Sequence, residues 1–413
     1  MKHITIILGL CLGWGTTASW AQDLWQQLLP PSEITQQVLL DSPFAQSARF
    51  KKEAQQSRAQ TIALGPHEFS VRLNQQARRV SSPYESFAET TIHLERPVRW
   101  WGKSEIDAKL STQSRELARI AYSDALHEAS RLLLGHWMTA LRAQAVHANA
   151  VRDWELAGTL QRQAGLRWKQ GDISELDAQL ATAEMQRAQA QKDLSASELK
   201  RALAMLASLY PGLPPPRPLP SSLSFPDIGP HLTLRAEFLA KHHELNWWRA
   251  EADRSVTQAR KSDKDRVPDP TLGVFTSRER MGAERVVGVN IGMPLPGQAR
   301  QYQSDAARFD ALAAQDKVRQ LELELGAAFD QRWHSVQDFR QALGSLRAAL
   351  DIQQGAADKS MRAYALGEGS MADVIQQRRL ANEQHRRLHL MQLDIVEHMA
   401  FIRLDLHELW DFD

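Results

Sequence analysis

Hydrophobic positions along this chain follow two rhythms. In "EFSVRLN", Phe69, Val71 and Leu73 fall on one face of an extended segment. In "SFAETTIHLE", Ala88, Thr90, Ile92 and Leu94 share one face, while Glu89, Thr91, His93 and Glu95 share the other. "RVVGVNIGM" repeats the pattern, with Val287, Val289, Ile291 and Met293 opposed to Gly288, Asn290 and Gly292. A strict period of two predicts strands with one apolar and one polar face. Pro83 and "RERMGAE" (278–284) mark turns, which gives β-hairpins at about 66–97 and about 270–294.

The second rhythm is helical. Phe329, Val336, Leu343 and Leu350 recur every seven residues, with Phe339 and Leu346 at the companion position. Leu388, Ile395, Ile402 and Leu409 do the same. Sevenfold spacing predicts helices packed as coiled coils. Residues 102–170 hold no proline and little glycine. A continuous helix there would be on the order of 100 Å long. Ordinary helices average about three turns, so this length predicts an extended rod or tube. Shorter helices, at about 32–63 and 230–264, precede the hairpins.

The chain repeats itself. Gly171 and Gly367 are 196 residues apart. Each follows an aromatic by three positions (Trp168, Tyr364), precedes a serine by three (Ser174, Ser370) and an aspartate by six (Asp177, Asp373). Pro97 and Pro294, each ending an alternating run, are 197 apart. Two landmarks with nearly one offset indicate a tandem duplication. The repeats are 22–209, with a helical-hairpin tip at about 167–177, and 228–413, with a tip at about 363–373. The linker 210–227 has six prolines in its first eleven positions, which excludes helix.

The first residues set the compartment. "MKHITIILGLCLGWGTTASWAQ" has a basic start, a short apolar run and a small-residue site, so residues 1–21 read as a cleaved signal peptide. Cys11, the only cysteine, lies inside it, and Leu10 before it rules against lipidation. The mature chain then has no disulfide, thiol nucleophile or zinc–thiolate site. The net charge is +1, and cleavage leaves 49 basic against 49 acidic residues, interspersed. That balance argues against a nucleic-acid partner. No later apolar run reaches the roughly 18 residues of a membrane helix, which leaves the periplasm, secretion, or an outer membrane crossed by strands.

Four amphipathic strands cannot close a barrel, since bacterial barrels begin at eight and open edges cannot face lipid. Symmetric oligomerisation supplies partners. Three copies would contribute twelve strands, with the glycine-bearing polar face toward a lumen and Val, Ile and Leu toward lipid. The helices would continue the barrel as a tube, with Gly171 and Gly367 at its far end.

On these features the chain resembles TolC-like outer-membrane efflux proteins over essentially its whole mature length. The motifs that carry the resemblance are aromatic-x-x-Gly-x-x-Ser-x-x-Asp, present at 168–177 and 364–373, and the strand-to-helix landmarks "RPVRWWGK" and "MPLPGQAR". "VPDPTLGVF" (267–275) and "WWGK" look like the heavy-metal (CzcC-like) branch. The resemblance implies a mainly α fold with a small β part, forming a homotrimer with a twelve-stranded β-barrel in outer-membrane lipid and a periplasmic α-barrel. It implies a passive exit duct without cofactor, docked to a periplasmic adaptor (membrane fusion) protein and an inner-membrane RND-type proton-driven pump. The tips, with Trp168, Gly171, Ser174, Tyr364, Gly367 and Ser370, would carry adaptor contacts. Asp373 matches the first acid that narrows the periplasmic aperture in relatives, and the second falls at Gln376, a departure. Asp177 is its counterpart in the first tip. A ring of carboxylates at a constriction favours cations, but aspartate early in a helix also suits a cap.

Other candidates carry less. His385 and His389 are four apart on a helix but lack the HExxH glutamate and a third ligand, so an Arg-rich solvated face is the plainer reading and no metal ligand is assigned. His242 and His243 point to different helix faces. Trp247 and Trp248 suit packing, and Trp100 and Trp101 suit either an interfacial aromatic girdle or a core. No phosphate loop, nucleophile elbow or carboxylate pair marks a catalytic residue. Three functions compete: an export duct for heavy-metal cations (or for organic compounds or type I secretion), a periplasmic coiled-coil scaffold or adaptor, and a secreted enzyme. The amphipathic strands count against the second, and the missing catalytic constellation against the third.

Overall fold

The computed structural model describes residue 25 and residues 27–220 and 223–412. The signal segment 1–21, with Cys11, lies outside the described residues. Helices α1 (Ser32–Asp41) and α2 (Pro43–Leu64) lead into strands β1 (Ser70–Ser81) and β2 (Tyr84–Pro97). The long helix α3 (Lys103–Lys169) and α4 (Glu175–Leu209) follow. Beyond the linker come α5 (His231–Lys241), α6 (His243–Lys264), β3 (Thr271–Glu279), β4 (Glu284–Gly292), α7 (Gln298–Ala365) and α8 (Met371–Asp405).

Two helices expected to be continuous are broken. Ser42 precedes a proline and is extended, at φ −64° and ψ 146°, as the proline ring requires of its predecessor. Pro43 then opens α2, where its missing N–H costs nothing. His242 is likewise extended, and its Nδ1 accepts from the Leu245 N–H at 3.5 Å, so it caps α6.

Cα packing divides the chain into two compact units, and each draws on both halves of the sequence. One comprises Phe44–Ala125 and His242–Leu325 and contains the whole sheet. The strands pair in the order β1-β2-β3-β4, all antiparallel. Register places Leu73 opposite Ile92, Ile92 opposite Thr276, and Thr276 opposite Val287. Period-two geometry then puts Val71, Leu94, Val274, Val289 and Ile291 on that same face. Val287, Val289 and Ile291 are 79%, 76% and 74% exposed. Arg96 bounds this apolar face at one end of the strands, and Arg79 and Arg285 at the other. β1 and β4 each pair on one side only among the described residues, so the sheet has two open edges.

The opposite face is polar and internally bonded. Glu89 is buried and meets Arg78 at 3.1 Å and Gln76 at 2.9 Å, and the Thr91 hydroxyl donates to Ser277 at 3.0 Å. Phe275 packs close against Gly288, where a Cβ would stand 2.5 Å from its ring.

The strand-to-helix landmark "RPVRWWGK" meets "VPDP" in one ion cluster. Asp269, from "VPDP", takes the Lys103 ammonium at 2.8 Å, the Trp100 N–H at 2.9 Å and His67 Nε2 at 3.3 Å. Burial alone would raise the Asp269 pKa, but Lys103, the Trp100 N–H and His67 outweigh it and hold the carboxyl below its usual range. Lys103 also donates to the Val267 carbonyl at 2.7 Å, and the Val98 N–H to the Pro270 carbonyl at 2.8 Å. Asp107 accepts Lys261 at 2.6 Å and Arg99 at 3.3 Å. The cluster fixes where strands leave the helices. Beside it Trp100 is 45% and Trp101 94% exposed, so Trp101 is not a core residue of this chain.

The other unit comprises the described residues of Met1–Pro43, with Leu126–Lys241 and Gly326–Asp413. Its core is built by the helical repeat: Phe329, Val336, Leu343, Ile395 and Ile402 are buried, joined by Leu133, Leu134 and Leu141 of α3. Trp137 donates its indole N–H to the Leu28 carbonyl at 2.7 Å. Asp405, 3% exposed, receives His127 at 3.2 Å, Arg332 at 2.9 Å and Arg131. Burial pushes its pKa up, but the His127 bond and the Arg131 and Arg332 charges outweigh this and hold the carboxyl below 3.8.

Asp405→Ala takes their shared carboxylate from half-buried Arg131 and Arg332 and should cost about 3 kcal/mol, measured by denaturant unfolding. The same carboxylate predicts acid sensitivity. Its folded-state pKa is depressed, so its contribution is complete above about pH 5 and fades as pH falls through the unfolded value towards the folded one.

Candidate functional site

The two tips show why each letter of the repeated motif is needed. At the first, α3 ends in a Schellman turn: the Asp172 N–H bonds the Arg167 carbonyl at 2.9 Å and the Gly171 N–H the Trp168 carbonyl at 2.9 Å. At the second, the Glu368 N–H bonds the Ala363 carbonyl at 2.9 Å and the Gly367 N–H the Tyr364 carbonyl at 3.2 Å. Gly171 and Gly367 both have φ +79°, a left-handed conformation that side chains resist. Serine three positions on caps the next helix. Ser174 Oγ accepts the Asp177 N–H at 3.1 Å, and Ser370 Oγ the Asp373 N–H at 3.1 Å. Each serine hydroxyl then donates to the same aspartate, to Asp177 Oδ2 at 3.0 Å and Asp373 Oδ2 at 2.6 Å.

Beyond backbone the tips differ. Tyr364 is buried among Leu160, Ala164, Ala181, Met371, Val374 and Ile375. The Arg167 guanidinium lies 5.2 Å from its ring centre. Burial, then the Asp177 charge, push the Tyr364 pKa up. Trp168 is instead 46% exposed. It lines a groove of about 790 Å³ between α3 and α4, with Leu166, Lys169, Glu175, Gln179 and Thr182. The motif's first position thus has two uses, one inside the tip core and one on its surface.

Asp373 and Gln376 are both exposed, one turn apart on α8. The cap occupies Asp373 Oδ2 and leaves Oδ1 outside it. Asp177 is half-buried.

A charged cluster that sequence reasoning missed lies above the tips. Glu184, 5% exposed, binds Arg187 at 2.7 Å and Arg379 at 2.8 Å, and Arg187 also reaches Asp153 at 2.9 Å. Burial would raise the Glu184 pKa, but the Arg187 and Arg379 bonds hold it below the usual range. The cluster joins α3, α4 and α8 beside a cleft of about 570 Å³. Glu184 and Arg187 are a readable i, i+3 pair, but Arg379 is 195 positions away from Glu184.

The histidine pair is not a solvated face. His385 and His389 are half-buried with ring centres 4.3 Å apart. Arg152 donates to His385 Nε2 at 2.7 Å, His385 Nδ1 meets Asn149 Oδ1 at 2.9 Å, and Asn149 Nδ2 meets His389 Nδ1 at 3.3 Å. Both His385 nitrogens are engaged. Burial, His389 and Arg152 push its pKa down to about 4, and burial and Arg152 lower that of His389. The pair, with Asn149 and Arg152, forms a hydrogen-bonding chain between α3 and α8. Trp247 and Trp248 meet edge to face at 5.1 Å, as packing residues do.

No protein-family model matches the chain, and no curated protein does. Its fold is that of solved outer-membrane channels. The Campylobacter jejuni CmeC outer membrane channel aligns at TM-score 0.74 and 12% identity, over 100% of this chain and 96% of that one. The outer-membrane channel OprN aligns at TM-score 0.79 and 16% identity, over 94% and 92%. CusC, described as folding and forming a transmembrane channel, aligns at TM-score 0.72 and 13% identity, over 92% and 91%. At such identities the likeness is one of fold, and it extends over nearly the full length of each partner.

Proposed function

We propose that this chain is the outer-membrane exit duct of a tripartite efflux pump, conducting substrate passively outward. The observation that carries the reading is the sheet, whose valine- and isoleucine-rich face is exposed and whose β1 and β4 edges are open. An apolar face of this kind needs a cover, and in lipid every strand edge must be paired. Three copies closing β4 onto the next β1 satisfy both demands. The polar face then lines the lumen, and exposed Trp100 and Trp101 lie at the lipid boundary as a girdle. The channel descriptions of the solved structures of similar fold favour the same reading.

In this reading residues 1–21 are a cleaved signal peptide and the chain is not lipidated. The repeats 22–209 and 228–413, joined by the linker 210–227, supply one hairpin and one tip each. The groove beside Trp168 and the Gly171, Ser174, Gly367 and Ser370 turns offer a surface to a periplasmic adaptor, while buried Tyr364 supports it from within. An inner-membrane RND-type pump feeds the duct. Asp373, with one oxygen outside its cap, adds negative charge near the aperture, beside Gln376, with Asp177 on the first tip. The cargo is divalent heavy-metal cations, as the likeness to the CzcC-like branch suggests. A duct needs no catalytic residue and no cofactor.

Expressed with its leader, the protein should fractionate with the outer membrane and run as an oligomer that heating converts to monomer. Recovery as a soluble monomer would refute the duct. In reconstituted channels, Asp373→Asn keeps an acceptor for the Ser370 hydroxyl but removes the charge. It should lower cation preference while costing the helix start no more than about 1 kcal/mol. Unchanged selectivity would leave Asp373 with the cap alone.

A further inference from the structure

The polar face of the sheet carries a row of groups that internal hydrogen bonding does not exhaust. Register aligns Glu95 of β2 with Gly273 of β3, and Gly273 with Asn290 of β4. Because Gly273 has no side chain, its two neighbours meet above it. A Cβ there would stand 2.4 Å from Asn290 Oδ1 and 2.8 Å from Glu95 Cγ. Asn290 Nδ2 donates to Glu95 Oε1 at 3.0 Å. His93, two residues before Glu95 and on the same face, places Nδ1 3.8 Å from the same oxygen. The His93 ring is held by stacking on Phe275, with centres 5.5 Å apart, and Phe275 in turn rests on Gly288. Two glycines therefore shape this corner, one clearing space for Glu95 and Asn290 and one seating the ring that orients His93.

Among the described residues, His93 Nδ1 and Asn290 Oδ1 are buried polar atoms without a hydrogen-bond partner. Such atoms are costly unless something satisfies them. The carboxyl of Glu95, a residue only 9% exposed, stands beside both of them. The cation beside it, Arg72, reaches Glu95 Oε2 at 3.4 Å, but its side chain is 62% exposed and free to withdraw into solvent.

We propose that His93, Glu95 and Asn290 form a binding site for a divalent transition-metal cation. An imidazole nitrogen, a carboxylate oxygen and an amide oxygen are a mixed donor set suited to zinc, cobalt, nickel or copper(II). Metal–ligand distances of about 2.0–2.2 Å put neighbouring donors roughly 3–3.5 Å apart. The 3.8 Å between His93 Nδ1 and Glu95 Oε1 is within a small side-chain adjustment of that. Asn290 needs only to turn its amide to present Oδ1. Asn74 Nδ2, at 3.4 Å from His93 Nε2, belongs to an amide that can turn to accept from Nε2–H, which frees Nδ1 as a ligand. The site rests on the duct reading for its place on a lumen wall. There it would give an exiting cation a resting point, weak enough to release with only three protein donors.

The test uses the purified full-length chain without an affinity tag, titrated with cobalt(II) and followed by its visible absorption. We expect one cobalt per chain, displaced by zinc. His93→Ala and Glu95→Gln should each weaken binding at least tenfold. Asn290→Asp should tighten it, which keeps the site testable if a loss variant misfolds. His385→Ala should leave binding unchanged. No cobalt uptake, or uptake insensitive to His93 and Glu95 and not tightened by Asn290→Asp, overturns the site and shows a closed imidazole–carboxylate pair. Failure here with intact membrane oligomers leaves the duct standing, and cobalt binding by a chain that never enters the membrane fails the duct instead.

Discussion

A strand presents hydrogen-bonding groups on both sides, and every one must be answered where water is scarce. Among the described residues, the four-stranded sheet answers them only between its own neighbours, leaving one side of β1 and one side of β4 open. Its apolar face makes the same demand in another currency, with Val71 and Leu73 exposed at 71% and 64%. These two unmet needs explain the proposed assembly more economically than any single residue does. An edge can be blunted by charge or proline, but β4, "ERVVGVNIG", has neither proline nor charge beyond its first two residues. A strand like that calls for a partner strand.

The helices and the sheet are joined by chemistry rather than by packing alone. Lys103 and Asp269 stand at the starts of their segments, 166 positions apart, and the cluster around them takes in His67, Trp100 and Asp265. The motifs "WWGK" and "VPDP" are two sides of one ionic joint. The tips rest on a different economy. Their turns are closed by backbone bonds and a serine–aspartate cap, so their outward side chains are left for other work.

Much of this was legible in the sequence. Period-two alternation located both hairpins because one face of each strand is apolar. It lost the outer part of β1, where Gln75, Gln76, Arg78 and Arg79 carry no contrast between faces. Heptads pointed to α7 and α8, the lack of proline over 102–170 pointed to α3, and the spacing of Gly171 and Gly367 pointed to the turns between the long helices. The break at Ser42 was readable from Pro43, whereas the one at His242 rests on a histidine cap that composition does not announce. The unlike fates of Trp168 and Tyr364 depend on what surrounds each tip. The hydrogen-bonding chain through His385 needs Asn149 and Arg152, more than 230 positions away, and no local pattern could supply them.

The central claim is that other copies of this chain answer the open edges of the sheet. Electron cryo-microscopy of the protein extracted from membranes in detergent tests it directly. The account predicts a threefold particle in which β4 of each chain is hydrogen-bonded to β1 of the next, closing one twelve-stranded barrel. A particle whose sheet stays four-stranded, with β1 and β4 free or covered by unrelated segments, would contradict it.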